Sequence, residues 1–444
     1  MSKQELVILG AGESGVGAAL LAVRRGRNVF VSDRGAIGTA YRAELEAAGI
    51  AYEEGSHDED RILAAEEVIK SPGIPDTAPL VVQLREQETS VIGEIEYAAR
   101  FNSGKVIGIT GSNGKTTTTL LVHHLLATAG LDAKLGGNIG HSFARLLAEE
   151  DAAAIYVLEL SSFQLDSIQE FRPDIGLLLN ITPDHLDRYS FDLDRYAAAK
   201  LRITMNQRSE DLFLHWTEDE ITARHLPNVT SPARRESISA AAIAHRATGV
   251  ELDGHTYDLQ TTQLRGRHNA LNALFALRVG RELGVEPADL QRGLDSFQVP
   301  AHRLELVAEI DGITYINDSK ATNVDATYYA LDALPGPIVW IAGGTDKGND
   351  YAPLQALAAE RVRALVCLGV DNTKLRTAFA DTIAEQRETD SAAAAVLAAR
   401  ELAQPGDTVL LSPACASFDL FKNYVDRGDR FRAAVQALQT SITH

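Results

Sequence analysis

Three α/β domains in series is the fold class this sequence predicts, and three observations carry it. The chain has 444 residues, more than one hydrophobic core ordinarily serves, so two or three domains are expected. Short apolar runs alternate with helical patterns along nearly its whole length, as in parallel sheets flanked by helices. Two glycine-rich turns, at Gly10–Gly15 and Gly111–Gly114, each follow an apolar run and open a helical pattern. Breaks in the pattern near Phe101–Gly104 and Gln298–Pro300 divide the chain into units 1–100, 101–299 and 300–444.

The first unit reads as strands over Glu5–Leu9, Val29–Ser32 and Glu67–Lys70, with helices over Ser14–Arg25 and Ala78–Gln87. Gly10-Ala11-Gly12-Glu13-Ser14-Gly15 matches the dinucleotide-binding fingerprint of a Rossmann-like domain. Asp33 ends the next strand about 20 residues on, where an acid would reach a ribose hydroxyl. The same turn serves any nucleotide diphosphate, and a ligand-free βα turn also fits it. Glu13 would repel a diphosphate unless its side chain turns outward. Ser71-Pro72-Gly73 ends another strand, at the edge where doubly wound sheets hold ligands.

In the second unit the strand Val106–Ile109 runs into Thr110-Gly111-Ser112-Asn113-Gly114-Lys115-Thr116, and a helix follows from Thr117. This is a P-loop ATPase-like arrangement, with amide groups and a helix N-terminus aimed at phosphate oxygens. Lys115 would reach the terminal phosphates, and the Thr116 hydroxyl a magnesium ion. The strict motif's first glycine falls on Ile109, so the loop is a shortened variant with Gly111 supplying the turn. A plain glycine turn is the alternative, and the placement of Lys and Thr argues against it. Glu159 stands at the end of the apolar run Ile155–Leu158, within the strand Ile155–Leu160, where a magnesium ligand or an exposed strand-end acid is expected. His185 lies in the polar loop after Ile175–Leu179, with a metal, phosphate or structural role. Lys200, in the helix Asp194–Ile203, follows three alanines, which points to close packing rather than a solvated lysine.

The third unit reads as strands Leu304–Ile310, Tyr315–Asn317, Ile338–Ala342, Ala364–Leu368 and Thr408–Leu411, closed by an amphipathic helix after Arg427. A net charge of −19 argues against a broad basic surface, so no nucleic-acid partner is expected. Two cysteines make no disulfide framework and suit a reducing compartment. No apolar run approaches a membrane span and no signal-peptide pattern opens the sequence, so a cytoplasmic protein without membrane insertion is expected.

Taken together, these segments resemble the Mur ligase family, ATP-dependent amide-forming enzymes of peptidoglycan synthesis. The motifs that carry the resemblance run the length of the chain. They are Thr110–Thr116, Gly136–Gly140, Glu159–Gln164, Asn180–Asp187, Gly266–Asn269 with Asn272, His302-Arg303, and Asp318–Asn323. The Gly10–Gly15 fingerprint, the absence of an Asp-Asn-Pro-Arg signature, and the forms of Asp318–Asn323 and Ser412–Asp419 are similar to the members that add D-glutamate.

The resemblance implies ATP as phosphoryl donor, UDP-N-acetylmuramoyl-L-alanine as acceptor and D-glutamate as nucleophile, with no NAD. It implies that Gly111, Ser112, Asn113, Gly114, Lys115, Thr116, Thr117, Asn269, Asn272, Arg303 and Asp318 bind ATP. Gly12, Ser14, Gly15, Asp33, Arg34, Ser71, Pro72, Gly73, Asn138 and His185 would hold the UDP substrate. Lys320, Thr322, Lys347, Ser417 and Tyr424 would hold D-glutamate, with Tyr424 standing where phenylalanine is expected. Lys115, His185 and Lys200 would be catalytic, and Thr116, Glu159, His185 and Lys200 would serve magnesium. Lys200 would do so as a CO₂-derived carbamate, since an ammonium cannot ligate a cation. A monomer is expected. Three rivals remain: an NAD-dependent oxidoreductase, a nucleotide-dependent switch, and a folylpolyglutamate synthase-like ligase.

Overall fold

The computed structural model describes residues 5–149 and 153–442. The chain divides into two compact units: Met1–Ala242 with Leu252–His255 and Leu271–Leu294, and Ile243–Glu251 with Thr256–Ala270 and Asp295–His444.

The first unit holds two parallel sheets. Strands β1 (Glu5–Leu9), β2 (Asn28–Asp33), β3 (Ala51–Glu54), β4 (Glu67–Lys70) and β5 (Ser90–Gly93) pair in the order β3-β2-β1-β4-β5. Leu6, Ile8, Val29 and Val31 face one core while Val7, Leu9, Phe30 and Val68 face another, as the period of two requires of a sheet covered on both faces. The second sheet comprises β6 (Lys105–Thr110), β7 (Ala133–Gly137), β8 (Ile155–Glu159), β9 (Ile175–Leu178), β10 (Leu212–Trp216) and β11 (Arg234–Ile238), ordered β11-β10-β9-β6-β8-β7.

One hydrophobic core joins these two sheets through the helices Glu13–Arg24 and Phe143–Glu149. A Cβ on Gly17 would lie 2.1 Å from Ser142 Oγ, so the close approach of these helices depends on a glycine there. Polar pins reinforce the seam. Arg145, 5% exposed, pairs with Glu13 at 2.8 Å, Glu44 at 2.5 Å and Glu149 at 2.6 Å. The buried Glu96 carboxylate accepts the N–H groups of Gln169, Glu170 and Phe171.

Strands β12 (Gly249–Leu252) and β13 (His255–Asp258) form a separate two-stranded sheet. The second unit is built on β14 (Glu305–Ile310), β15 (Ile313–Asn317), β16 (Ile338–Ala342), β17 (Val362–Leu368), β18 (Glu385–Thr389) and β19 (Thr408–Leu411), ordered β14-β15-β19-β16-β17-β18. Only β14 runs antiparallel to its neighbour. Trp340, Ala342, Leu365, Cys367 and Leu410 pack on one face, and Val339, Ile341, Ala364, Val366, Val409 and Leu411 on the other.

Each strand expected from the sequence is present, with small shifts at the ends. The last helix begins at Tyr424, before Arg427, because the Asn423 side chain accepts the Val425 and Asp426 N–H groups and caps it. The strands β3, β11 and β18 lie at sheet edges and are rich in charge (Ala-Tyr-Glu-Glu, Arg-Arg-Glu-Ser-Ile, Glu-Gln-Arg-Glu-Thr), so they carry no apolar run to announce them. Among the described residues no helix is long and apolar enough to cross a membrane.

Candidate active site

The phosphate loop follows β6, the strand flanked by β9 and β8, and the loops after all three strands leave the same sheet edge. Gly111 and Gly114 take φ of 156° and 82°. A Cβ on Gly114 would lie 2.6 Å from Asn272 Oδ1, so the left-handed turn and the packing of Asn272 both call for glycine. The loop after β9 is laced to it. Ser112 Oγ donates to the Thr182 carbonyl and accepts the Thr182 N–H, each at 2.9 Å. The Asn113 N–H donates to Asn180 Oδ1 at 2.8 Å, and Asn180 Nδ2 donates to the Asn113 carbonyl at 3.1 Å. Thr116 and Thr117 open the helix Lys115–Thr128, with Thr117 buried and Thr116 half-buried.

Two lysines converge here. Lys115 Nζ donates to the Gly111 and Ser112 carbonyls at 2.7 and 2.9 Å, and Lys200 Nζ donates to the same Gly111 carbonyl at 2.7 Å. Lys200 is 1% exposed, with its amine 4.4 Å from the centre of the Tyr196 ring. Burial, followed by the charge of Lys115, holds the Lys200 amine well below the usual lysine range, against the pull of Asp184, Glu159 and Asp166. A depressed amine is neutral more often and therefore nucleophilic. Of the three alanines before Lys200, Ala197 and Ala199 are buried as the expectation of close packing requires, while Ala198 is exposed; the helix is capped by Asp192 at the Asp194 N–H.

Glu159 ends β8 and is 2% exposed, so the reading of an exposed strand-end acid does not hold. Its Oε1 accepts from Asn138 Nδ2 at 2.9 Å, while Oε2 is buried with no hydrogen-bond partner. An orphaned carboxylate oxygen at a phosphate-loop edge fits a cation. Among the described residues, no group of three or more His, Cys, Asp or Glu side chains could hold a metal. Magnesium therefore fits only where phosphate oxygens, hydroxyls and water complete its shell, which is its usual habit. His185 is exposed, takes φ of 51°, and sets its ring 5.4 Å from Phe163 with Nε2 3.6 Å from Asp184.

At the first sheet, Gly12 caps the helix that carries Ser14 and Gly15, and a Cβ on Gly15 would lie 1.9 Å from the Gly10 carbonyl. Asp33 is spent on this turn: its carboxylate accepts the Ala11 and Gly35 N–H groups, each at 2.7 Å. Arg34 is exposed beside it. Glu13 does turn outward, accepting from the Ser142 N–H and Arg145 Nε at 2.8 Å each, which removes its charge from the glycine turn. Ser71 and Pro72 are half-buried and Gly73 exposed, in the loop after β4, the neighbour of β1.

In the second unit, loops after β15, β16 and β19 carry Asp318, Lys320, Thr322, Lys347 and Ser417. Asp318 is buried, accepting from the Leu304 N–H at 3.2 Å and Ser412 Oγ at 2.9 Å, and burial pushes its carboxyl up to about 7. Arg303 is near enough to favour its charged form. The Lys320 amine sits 4.0 Å over the Tyr424 ring, a contact made with the aromatic face that phenylalanine would also offer. Thr322 is half-buried, Ser417 buried, and Lys347 exposed in the turn organised by Asp346, which accepts the Gly348 and Asn349 N–H groups. Asn269 is buried on the helix Arg267–Glu282, one turn before Asn272, and donates to the Arg265 carbonyl.

Two site residues carry no signal of their own in the sequence. Tyr196 lies under the Lys200 amine and puts its hydroxyl 3.3 Å from Ser112 Oγ. Arg427, 1% exposed, donates to Ser319 Oγ and the Ser319 and Cys415 carbonyls, tying the β15 and β19 loops together.

Family descriptions match three consecutive stretches of the chain: Mur ligase MurD-like N-terminal domain over residues 4–93, Mur ligase middle domain over 109–280, and Mur ligase glutamate ligase domain over 302–415. The UDP-N-acetylmuramoylalanine–D-glutamate ligase of Christiangramia forsetii is 47% identical, covering 98% of this chain and 100% of the relative. That of Bacteroides fragilis is 48% identical over the same shares. In fold, the chain is similar to the MurF ligase from Thermotoga maritima, solved in complex with ADP, with a TM-score of 0.62, 16% identity and coverage of 92% of this chain and 95% of that one. On near-half identity across almost its full length, the chain belongs to the Mur ligase family.

Proposed function

We infer that this chain is an ATP-dependent ligase that joins D-glutamate to UDP-N-acetylmuramoyl-L-alanine in peptidoglycan precursor synthesis. The observation that carries the reading is the identity of 47 and 48%, over essentially whole chains, to relatives named for that reaction. It displaces the oxidoreductase, the switch and the folylpolyglutamate synthase-like ligase.

Condensing a carboxylate with an amine in water fails because oxide would have to leave. Transfer of the ATP γ-phosphoryl group to the L-alanine carboxylate gives an acyl phosphate; the amine of D-glutamate attacks its carbonyl carbon and phosphate departs. Lys115, released from its loop carbonyls, neutralises charge on the moving phosphoryl group. Thr116 and Glu159 would hold one magnesium ion, and His185 with a carbamylated Lys200 a second, where the metal would supply further neutralisation. Burial disfavours the charged form of Lys200, and the neutral amine is the form that adds CO₂, which supports that assignment.

Asn269, Asn272, Arg303 and Asp318 serve the adenosine end of ATP. The first sheet holds UDP through Gly12–Gly15, Asp33, Arg34 and Ser71–Gly73, with Asn138 and His185 at the muramoyl-alanine portion. Lys320, Thr322, Lys347, Ser417 and Tyr424 hold D-glutamate. The enzyme works as a cytoplasmic monomer. A phosphate-release assay with the UDP-linked acceptor and a panel of D- and L-amino acids tests the reading. Release should require acceptor and D-glutamate together, and equal rates with L-glutamate would overturn the choice of substrate.

A further inference from the structure

The loop after β4 is held by its carbonyl oxygens through two cationic side chains. Lys70, the last residue of β4, is 3% exposed; its Nζ donates to the Ile74 carbonyl at 2.8 Å and lies 3.3 Å from Asp76. Arg188, in the loop after β9, donates to the Gly73 carbonyl at 3.1 Å and the Pro72 carbonyl at 3.4 Å. Its guanidinium stacks 4.4 Å over the Phe163 ring, which fixes the plane of the fork. Three successive carbonyls therefore each face a cationic donor.

The covalent geometry of the peptide turns this into a statement about N–H groups. A trans peptide points its C=O and the following N–H in opposite directions. Holding the Pro72 carbonyl toward Arg188 aims the Gly73 N–H the other way. Pro72 has no N–H, the Ser71 N–H is used on the Leu9 carbonyl, and the Ile74 N–H on the Ser71 carbonyl. Within Ser71–Ile74 the Gly73 N–H is the one amide without a backbone acceptor, so it is left to serve a ligand.

We propose that Arg188 and Lys70 are positioning residues for the diphosphate of the UDP substrate, orienting the Ser71–Gly73 loop so that the Gly73 N–H donates to a phosphate oxygen. The proposal rests on the reading that the first sheet binds UDP. Neither side chain touches the substrate, so their loss weakens binding of diphosphate-bearing ligands and leaves the chemical step alone.

The test is steady-state kinetics on Arg188→Ala, Arg188→Lys and Lys70→Met in the full chain, with UDP as a competing ligand. Arg188→Ala should raise KM for UDP-N-acetylmuramoyl-L-alanine and the inhibition constant of UDP by about tenfold, a change of about 1.4 kcal/mol. Its kcat and its KM for ATP and D-glutamate should stay within about twofold, its melting temperature should hold, and Arg188→Lys should recover part of the loss. Lys70→Met, which keeps the packed stem, should move the same two constants. Unchanged constants in a folded Arg188→Ala protein overturn the proposal. So does a uniform fall of all parameters with the melting temperature, which marks a general structural role. Failure of the parent protein to ligate or to be inhibited by UDP would instead bring down the functional reading, and the proposal with it.

Discussion

The two glycine turns of the first unit, Gly10–Gly15 and Gly111–Gly114, are built alike and equipped differently. Each follows a central parallel strand and opens a helix, and each needs a residue with positive φ at its start, Gly10 at 92° and Gly111 at 156°. Around the first, the carboxylates are engaged with the protein itself: Asp33 accepts two backbone N–H groups and Glu13 points away to Arg145. Around the second, ionisable groups have been gathered, with the Lys115 and Lys200 amines on one carbonyl and Glu159 carrying an orphaned buried oxygen. A diphosphate that is only held needs amides and a helix terminus. A phosphoryl group that moves needs charge that can follow it. Under the proposed function, the contrast is that between a turn that holds and a turn that reacts within the same supersecondary motif.

The sharpest way to break the comparison is Lys115→Ala. Ligation should fall by about a thousandfold or more, with the fold intact, because a loop lysine carries little packing. Near-normal turnover in a folded variant would remove the reacting character of the second turn. Next is Lys200, where Lys200→Ala should lose at least about a hundredfold in kcat. Arginine should not rescue it, since arginine keeps its charge and cannot add CO₂ under ordinary conditions. A small carboxylate in the buffer should restore part of the alanine variant's rate. If Lys200→Arg ligates as well as the parent, the carbamate is wrong.

How much of this contrast is legible in the sequence depends on what kind of fact each part is. Both turns, their strands and the roles offered for Lys115, Thr116 and Glu159 follow from local spacing, because strand–loop–helix order fixes which end of the sheet they occupy. The outward turn of Glu13 depends on Ser142 and Arg145, more than a hundred positions away, and no local pattern encodes it. The pairing of Lys115 with Lys200 on the Gly111 carbonyl is likewise a long-range fact, hinted at only by the alanines before Lys200. Edge strands such as β18 fail to announce themselves for the opposite reason. Their charge protects an unpaired edge and erases the apolar signal.

A milder effect is expected at the holding turn. A Cβ at Gly10 would meet Ser71 Oγ at 2.6 Å from a backbone already at positive φ. Gly10→Ala should cost about 1–3 kcal/mol of stability and raise KM for the UDP-linked acceptor while sparing kcat. Gly114→Ala, whose Cβ would meet Asn272 Oδ1 at the same distance, should instead cut kcat. Equal kinetic signatures for the two variants would erase the distinction between the turns.

The smallest effect lies at the seam between the sheets that carry the two turns. Glu94 opens the helix Glu94–Ala99, is 3% exposed, and accepts the Ala144 N–H at 2.5 Å, while its Oε2 is buried without a partner. Burial pushes its carboxyl up to about 8; the Ala144 and Phe143 N–H groups oppose this, and the charge of Glu13 adds to it. At neutral pH the folded chain holds a proton here that the unfolded chain, with an ordinary carboxyl, has released. The contribution of Glu94 to stability is therefore fully present below the unfolded value of about 4.5, and is lost as pH rises toward and through about 8. The amount is roughly a few kcal/mol at most. Glu94→Gln copies the neutral acid and cannot ionise, so it should flatten this part of the profile. Urea midpoints compared at about pH 5.5 and about pH 8.5 should fall less for the variant than for the parent. An identical fall in both proteins would mean that Glu94 is ionised in the folded chain and that the seam tolerates its charge.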